Sequence, residues 1–171
     1  MASPEKLAHV VLRTGRLPDM TDWYARVLEA RVAFANEALA FLTYDDEHHR
    51  VALVATGAAE RPTPAHTGLH HMAFTYATVG DLLDTYRRLK GEGIHPFWCV
   101  DHGPTTSMYF EDPDGNHVEL QIDNFTTAEA LDAWFRSGAF EADPIGADFD
   151  PDDLLRRLEP GAAPDGPARR A

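Results

Sequence analysis

Two stretches of the chain, LAHVVLRT (residues 7–14) and LHHMAFTY (residues 69–76), carry the pattern that decides the fold. Each is a short apolar run with a histidine at its third position, His9 in the first and His71 in the second. Short apolar runs of this kind are typical of β-strands. Because the same pattern recurs, we predict that the chain is built from two copies of one structural module.

The segments that follow these two strands come in the same order in both copies. A helical pattern comes first, DMTDWYARVLEA (19–30) in one copy and TVGDLLDTYRRLKGEG (78–93) in the other. Three strand-like runs then follow: RVAFAN, ALAFLTY and HRVALVA in the first copy, and HPFWCV, TSMYFE and HVELQI in the second. We therefore predict an α+β fold with two βαβββ modules, residues 6–57 and 68–123, which form a curved mixed sheet around a shared cavity.

The remaining residues read as a linker and an appendage to these modules. The segment GAAERPTPAHTG between the modules is rich in turn-forming residues. Residues 124–158 are predicted to form a C-terminal helical extension, with helices over 126–135 and 151–158. Residues 159–171 should be a disordered tail. We expect residues 1–171 to form a single domain.

Composition excludes several classes of protein. The net charge is −13, and no basic patch of the kind that binds nucleic acid is present. No apolar run has the length of a membrane span or of a signal peptide, so we expect a cytoplasmic protein that binds neither membranes nor nucleic acid. A single cysteine, Cys99, excludes an internal disulfide framework.

The repeat also indicates which side chains occupy equivalent positions. His9 is equivalent to His71, and the last strand of each module places Ala52 in the first copy where the second has Glu119. If these positions face one cavity, His9, His71 and Glu119 can hold a divalent metal. Two imidazoles and one carboxylate suit Fe(II), although Mn(II) or another divalent metal is chemically possible. Because Ala52 supplies no fourth ligand, open coordination positions remain.

The turn EDPDGN between the last two strands of the second module is a strong hairpin signal. With the midpoint of the hairpin near Asp114, Tyr109 lies directly across from Glu119, with its side chain on the same face. We therefore predict a phenol beside the carboxylate ligand.

Five segments together resemble the vicinal-oxygen-chelate superfamily of glyoxalases, bleomycin resistance proteins and extradiol dioxygenases. They are LAHVVL, HHRVAL, LHHMAF, DHGPTTSMYF and EDPDGNHVEL, within about residues 5–125. HHRVAL and DHG indicate the branch of type I extradiol catechol dioxygenases. The resemblance implies that the enzyme opens the ring of a catechol-type substrate with O2 and Fe(II), by cleavage next to the two hydroxyls.

The resemblance also implies roles for individual residues. His9, His71 and Glu119 match the iron ligands, and His49 matches an acid–base histidine, although DDEHHR by itself reads as a solvated turn. Tyr109 matches a tyrosine that hydrogen-bonds the substrate oxygen, and His102 looks like a histidine in the shell behind the ligands. The best-known members have four modules and this chain has two, so we expect the C-terminal helices or a second subunit of a homodimer to complete the pocket.

Two other functions stay open at this point. One is a metal-dependent lyase or isomerase of the glyoxalase or epimerase type, against which the absent fourth ligand at Ala52 argues. The other is a metal-free protein of the same fold that sequesters a ligand, against which the intact set of His9, His71 and Glu119 argues. Fold alone does not separate the three functions.

Overall fold

The computed structural model describes residues 2–57, 60, 61, 63, 65 and 67–158, so the predicted tail over 159–171 lies outside the described residues. The chain divides into two compact units. Unit 1 comprises Met1–Gly68 together with the turn Asp112–Asn116, and unit 2 comprises Leu69–Glu111 and His117–Ala171. The predicted bounds of the domain and its modules stay predictions.

Unit 1 has the element order β1 (Val10–Thr14), α1 (Leu17–Val27), β2 (Arg31–Ala35), β3 (Leu39–Thr43) and β4 (Val51–Ala55). Its four strands form one mixed sheet in the order β1-β4-β3-β2, with β1 and β4 parallel and the other pairs antiparallel. Helix α1 begins earlier than predicted because Pro18 fits its first turn. Its apolar face is buried, with Met20, Tyr24 and Val27 fully enclosed.

Unit 2 repeats this order with β5 (His71–Thr75), α2 (Val79–Gly91), β6 (Trp98–Asp101), β7 (Thr105–Glu111) and β8 (His117–Asp123). Strand β6 is shorter than the predicted run, which began at His95. Helix α2 begins after Thr78, whose hydroxyl accepts a hydrogen bond from the Asp81 N–H, and its face with Leu82, Leu83 and Leu89 is buried.

The extension adds α3 (Ala128–Arg136), α4 (Ala139–Ala142), β9 (Ala147–Asp148) and α5 (Pro151–Leu158) to unit 2. Helix α3 is capped by Thr127, and α5 spans the predicted residues. The sequence did not predict α4 or β9, which carry too few residues to show a period. Strand β9 pairs with β6 and makes a five-stranded sheet in the order β5-β8-β7-β6-β9.

The registers of β1, β4 and β3 in unit 1 match those of β5, β8 and β7 in unit 2, which confirms the predicted equivalence of the halves, whereas β2, unlike β6, carries a register shift, between Val32 and Phe34. Ala52 lies beside Val11 and across from Phe41 in unit 1. In unit 2, Glu119 lies beside Ala73 and across from Tyr109. The predicted α+β class with two βαβββ modules is therefore confirmed, each module carrying its own mixed sheet. Within the described ranges, no helix has the length and apolarity needed to cross a membrane.

Candidate metal centre

The candidate metal centre in unit 2 is built on the parallel pair β5 and β8. His71 precedes Ala73 by two residues on β5, and Ala73 is the partner of Glu119 on β8, so both side chains lie on the same face of the sheet. The Nε2 atom of His71 lies 3.0 Å from Oε2 of Glu119. Glu119 is 4 % exposed, so its carboxylate needs a positive or hydrogen-bonding partner.

The distance between these two atoms fits a shared metal ion. Nitrogen and oxygen ligands lie about 2.1 Å from a divalent metal, so two adjacent ligands at a right angle are separated by about 3.0 Å. The His71 side chain is 33 % exposed, which leaves its side of the carboxylate accessible from solvent. A borderline imidazole and a hard carboxylate are the ligand types that Fe(II) accepts. His71 and Glu119 therefore fit two ligands of one divalent metal.

Tyr109 stands beside this pair, as the hairpin register predicted. It lies directly across from Glu119 on β7, and its ring meets the His71 ring edge-on at 5.5 Å between centroids. Burial raises the pKa of the Tyr109 phenol, and the charge and hydrogen bonding of Glu119 raise it further. The phenol therefore keeps its proton at neutral pH and can take part in hydrogen bonds as a donor.

His102 approaches Tyr109 from the end of β6. Its Nε2 atom lies 3.0 Å from the Tyr109 hydroxyl, and its Nδ1 atom lies 2.6 Å from the carbonyl oxygen of Ile145. Trp98 stacks on the Tyr109 ring with centroids 4.9 Å apart and meets His102 edge-on. His102 therefore lies behind Tyr109 and contacts its hydroxyl group.

Unit 1 gathers three imidazoles at one end of its sheet. His9 lies one residue before β1 rather than inside the strand, while His48 and His49 lie in the turn before β4. Each of the three offers a nitrogen within 4.8 Å of the others. The rings of His9 and His49 are 4.3 Å apart, and the Nδ1 atoms of His48 and His49 are 2.6 Å apart. Histidines 9 and 49, predicted as a ligand and as an acid–base group, are thus neighbours.

The surroundings of His49 favour its neutral form. Burial lowers the pKa of His49, and the neighbouring imidazoles of His9 and His48 lower it further, whereas Glu47 acts in the opposite direction. The ring stacks on Phe41 at 4.3 Å with nearly parallel planes. A neutral imidazole held in this way has a free lone pair, so His49 can accept a proton near neutral pH.

The turn that carries His48 and His49 is tied to the start of the chain by Arg50. Its guanidinium donates to the carbonyl oxygens of Leu7 and Ala8, at 2.7 and 3.1 Å, and pairs with the Asp45 carboxylate. The Arg50 hydrogen bond is the main reason that the pKa of Asp45 is lowered from 3.8 to about 2. These contacts fix the backbone immediately before His9.

The structure brings some predicted site residues together and adds others. His71, Glu119, Tyr109 and His102 form one connected group in unit 2, and His9 and His49 form another in unit 1. No role for Trp98 or for the Ile145 carbonyl was predicted from the sequence. The alternation along HPFWCV could have placed Trp98 beside Tyr109, but a backbone carbonyl leaves no signal in residue identity.

The fourth position of the repeat carries no ligand. Ala52 is 2 % exposed and lies across from Phe41, so a methyl group and a phenyl ring in unit 1 stand where unit 2 has a carboxylate and a phenol. At this position of the repeat, only unit 2 carries a possible metal ligand, Glu119.

Comparison with known families places this architecture in one class. A sequence profile of the Glyoxalase/Bleomycin resistance protein/Dioxygenase superfamily matches residues 6–120, and the chain belongs to this superfamily. Among solved structures, the glyoxylase/bleomycin resistance protein/dioxygenase domain from Frankia sp. EAN1pec has a TM-score of 0.59 at 19 % identity. That match covers 71 % of this chain and 93 % of the Frankia chain, and it supports the fold.

Two relatives are similar over nearly the whole chain. Biphenyl-2,3-diol 1,2-dioxygenase 2 of Rhodococcus globerulus is 46 % identical over 166 residues, which is 96 % of this chain and 87 % of the relative. Biphenyl-2,3-diol 1,2-dioxygenase 3 of the same organism is 48 % identical over 163 residues, 94 % of this chain and 86 % of the relative. The matches extend through the modules into the C-terminal extension.

Proposed function

We propose that this chain is an Fe(II)-dependent extradiol dioxygenase that opens the ring of a biphenyl-2,3-diol or a similar catechol with O2. Sequence identity of 46 % and 48 % to two biphenyl-2,3-diol 1,2-dioxygenases supports extradiol ring cleavage. The structural observation that carries the proposal is the group in unit 2, where His71 lies 3.0 Å from Glu119 and Tyr109 lies directly across from that carboxylate.

The proposed iron ligands are His9, His71 and Glu119. When bound, Fe(II) would supply open positions for the two vicinal oxygens of a diol and for O2, and a path for electrons between them. His71 and Glu119 meet the distance expected of two ligands to one metal. His9 is assigned through its equivalence to His71 in the repeat and through the resemblance to the superfamily.

Tyr109 is proposed to bind the diol through one of its oxygens. Its phenol is protonated at neutral pH, since burial and the Glu119 carboxylate raise its pKa. A hydroxyl in this place accepts a hydrogen bond from a substrate hydroxyl, or donates one to the substrate oxygen after that oxygen has lost its proton. His102, 3.0 Å from the Tyr109 hydroxyl, orients the phenol for either task.

His49 is proposed to accept a proton from the diol. Its imidazole is held neutral by burial and by neighbouring imidazoles, so its lone pair is free near neutral pH. Stacking on Phe41 fixes the plane of the ring. Removal of one substrate proton increases the charge on the diol oxygens and strengthens their binding to a divalent cation.

A homodimer is part of the proposal. The resemblance implies that larger relatives supply a pocket wall from a second pair of modules, which this chain does not carry between residues 6 and 123. A second copy of the chain would supply that wall. Sedimentation equilibrium of the full chain should give a mass of twice 19.0 kDa, and a monomer that is fully active would contradict this part of the proposal.

The test of the proposed activity compares two chemistries on one preparation. The full chain is loaded anaerobically with one equivalent of Fe(II) and mixed in air with biphenyl-2,3-diol, catechol, or the hemithioacetal of methylglyoxal and glutathione. We expect oxygen uptake and a yellow ring-opened product with the diols, and no turnover of the hemithioacetal. Turnover of the hemithioacetal without oxygen uptake would establish the lyase instead. No retained metal and no turnover would favour a ligand-sequestering protein.

A further inference from the structure

The C-terminal extension contacts the histidine that orients Tyr109. The carbonyl oxygen of Ile145 lies 2.6 Å from Nδ1 of His102, on the side of the ring away from Tyr109. A carbonyl oxygen can only accept a hydrogen bond, so at this distance the Nδ1 atom of His102 must carry the proton. In the neutral ring, Nε2 then has a lone pair and no proton.

We infer that the segment Asp143–Phe149 is a positioning element of the site, because its Ile145 carbonyl holds His102 as the Nδ1–H tautomer and so sets the direction of the His102–Tyr109 hydrogen bond. With Nε2 unprotonated, this nitrogen can only accept across the 3.0 Å contact, so it competes with the Glu119 carboxylate for the single proton of the Tyr109 hydroxyl. Lone pairs on the phenol oxygen are then free to accept a hydrogen bond from a substrate hydroxyl, a consequence that rests on the proposed function.

Several contacts hold this segment in place against the end of β6. Strand β9 pairs with Val100 and Asp101, and the Phe149 N–H donates to the Cys99 carbonyl at 3.1 Å. The indole N–H of Trp98 donates to the Asp148 carboxylate at 2.8 Å. The anchored residues Ala147, Asp148 and Phe149 follow closely after Ile145, so its carbonyl has little freedom to move.

Gly146 permits the close approach that the Ile145 carbonyl needs. Its φ of +92° lies in the region that favours glycine, and a methyl group there would overlap the Asp101 carbonyl next to His102. The Gly146 N–H donates to the Asp143 carboxylate at 2.9 Å, which closes the turn. No side chain other than hydrogen fits at this position without moving the segment away from His102.

The loop that carries His102 is fixed as well. If the Ile145 carbonyl is displaced, the His102 ring therefore cannot move with it and keep the contact. The His102 N–H donates to the Thr105 carbonyl at 2.9 Å, and the Asn124 amide donates to Asp101 and to the Gly103 carbonyl at 3.1 and 3.0 Å. Trp134 of α3 covers Gly103, where a methyl group would overlap its ring. Both sides of the His102–Ile145 contact are therefore preset.

The test uses ¹⁵N-histidine-labelled full chain without metal or substrate, in which two- and three-bond ¹H–¹⁵N correlations show which ring nitrogen carries the proton. His102 is assigned by comparison with His102→Asn. We expect the Nδ1–H tautomer in the wild type and a mixture or the Nε2–H tautomer in Gly146→Ala. The matched control is Gly138→Ala, because Gly138 has a similar φ of +79° but nothing within 4 Å of the added methyl group.

Turnover supplies a second readout with the Fe(II)-loaded full chain. Gly146→Ala should lower kcat by about tenfold or more with KM within about twofold, while Gly138→Ala stays within about twofold of the wild type in both. If Gly146→Ala does not fold, Asp148→Ala loosens the same segment by removing its bond to Trp98 and should give a smaller shift in the same direction.

Two results would overturn the inference: an Nε2–H tautomer of His102 in the wild type, or a folded Gly146→Ala variant that keeps both the wild-type tautomer and the wild-type kcat. The tautomer is read without metal or substrate, so it stays separate from the proposed activity. A wild type with the Nδ1–H tautomer and no turnover of any diol would contradict the proposed function and leave this contact established.

Discussion

The two units pair their first, third and fourth strands in the same register and differ in the side chains that this register places across the sheet. Unit 1 has Ala52 across from Phe41, and unit 2 has Glu119 across from Tyr109. Next along the row, Phe34 is the partner of Phe41, and Trp98 is the partner of Tyr109. One backbone arrangement therefore carries an apolar row in one unit and a carboxylate–phenol row in the other.

The sheets also differ at their outer edges. Strand β2 of unit 1 is an edge strand whose residues are all exposed. In unit 2, the equivalent strand β6 is covered by β9, which brings the Ile145 carbonyl to His102. The repeat therefore supplies the frame for the two proposed ligands of unit 2, whereas the contact that holds His102 comes from a segment outside the repeat.

The largest effect is expected where the two rows differ by a charge. Glu119→Ala should abolish retention of Fe(II) and lower kcat by on the order of 10³-fold or more, because the remaining ligands are imidazoles alone. Metal content after gel filtration and steady-state oxygen uptake measure the two effects. The control is Gln121→Ala, on the same strand and face, where Gln121 donates to Thr75 at 3.0 Å. Full iron retention by Glu119→Ala would refute the assignment of this ligand.

The reverse exchange tests whether the frame alone is enough. Ala52→Glu places a carboxylate at a position 2 % exposed, across from a phenyl ring, and should cost several kcal/mol of unfolding free energy. The double variant Ala52→Glu/Glu119→Ala should stay inactive, since neither a phenol nor an oriented histidine stands across from residue 52. Chemical denaturation and oxygen uptake are the measurements. Recovered activity in the double variant would show that the two rows are interchangeable.

The next effect concerns the phenol. Tyr109→Phe should lower kcat by about 10²-fold while iron is retained, because the substrate oxygen loses its hydrogen-bonding partner. Phe41→Tyr, the matched change in unit 1, should leave kcat within about twofold. Steady-state kinetics with biphenyl-2,3-diol separates the two variants. Equal losses in both would mean that the hydroxyl of Tyr109 has no particular role.

A smaller effect is expected from the tyrosines at the eighth residue of α1 and α2. The Tyr24 hydroxyl donates to the Asp112 carboxylate at 3.0 Å in a buried contact, and the Tyr86 hydroxyl donates to Asp152 at 2.9 Å in a half-exposed one. Tyr24→Phe should lower the unfolding free energy by about 1–3 kcal/mol, and Tyr86→Phe by less, because solvent can replace its bond. Urea unfolding of both variants measures the two losses of unfolding free energy. A larger loss in Tyr86→Phe than in Tyr24→Phe would contradict the prediction.

The smallest effect is a difference in acid sensitivity between two hairpin turns. The pKa of Asp45 is lowered to about 2 by Arg50, so the stabilisation it gives is present above pH 3.8 and is lost as the pH falls towards 2. Asp45→Asn should therefore flatten the loss of unfolding free energy between about pH 4 and pH 2. Urea unfolding midpoints measured across this range provide the test, and an unchanged slope would contradict the shift.

Asp112 should behave in the opposite way. Burial raises its pKa, so the folded chain takes up a proton before the unfolded chain does as the pH falls, and this stabilises the fold from its raised pKa down to 3.8. Asp112→Asn removes this gain. As the pH is lowered towards about 4, the unfolding free energy of the variant should therefore fall more steeply than that of the wild type. If the unfolding free energy of Asp45→Asn and of Asp112→Asn changed with pH in the same way, the raised pKa of Asp112 would be contradicted.

Much of the fold could be predicted because its signals are periodic or local. The turn EDPDGN and the alternation in HVELQI predicted the Tyr109–Glu119 pairing, which the structure confirms. The predicted class of enzyme, an extradiol ring-cleavage dioxygenase, is confirmed by similarity to two biphenyl-2,3-diol 1,2-dioxygenases. The site assignments of His9, His49, His71, His102, Tyr109 and Glu119 stay predictions, of which Glu119→Ala and Tyr109→Phe test two directly.

What the sequence did not predict depends on contacts without a residue signature. Strand β9 has two residues, too few to show the alternation that identifies a strand. The Ile145 carbonyl is a backbone group, so any residue could supply it. The glycine at residue 146 was an available signal, since glycine often marks a close backbone approach, but nothing in the sequence tells which backbone it meets.

Extradiol cleavage is tested most directly by turnover of biphenyl-2,3-diol under ¹⁸O2. The full chain is loaded anaerobically with Fe(II), and the ring-opened product is measured by mass spectrometry. We expect one O2 consumed per diol, both labelled atoms in the product, and no product from Glu119→Ala. Stoichiometric iron with no oxygen uptake, or a ring-opened product without label, would contradict extradiol cleavage at this centre.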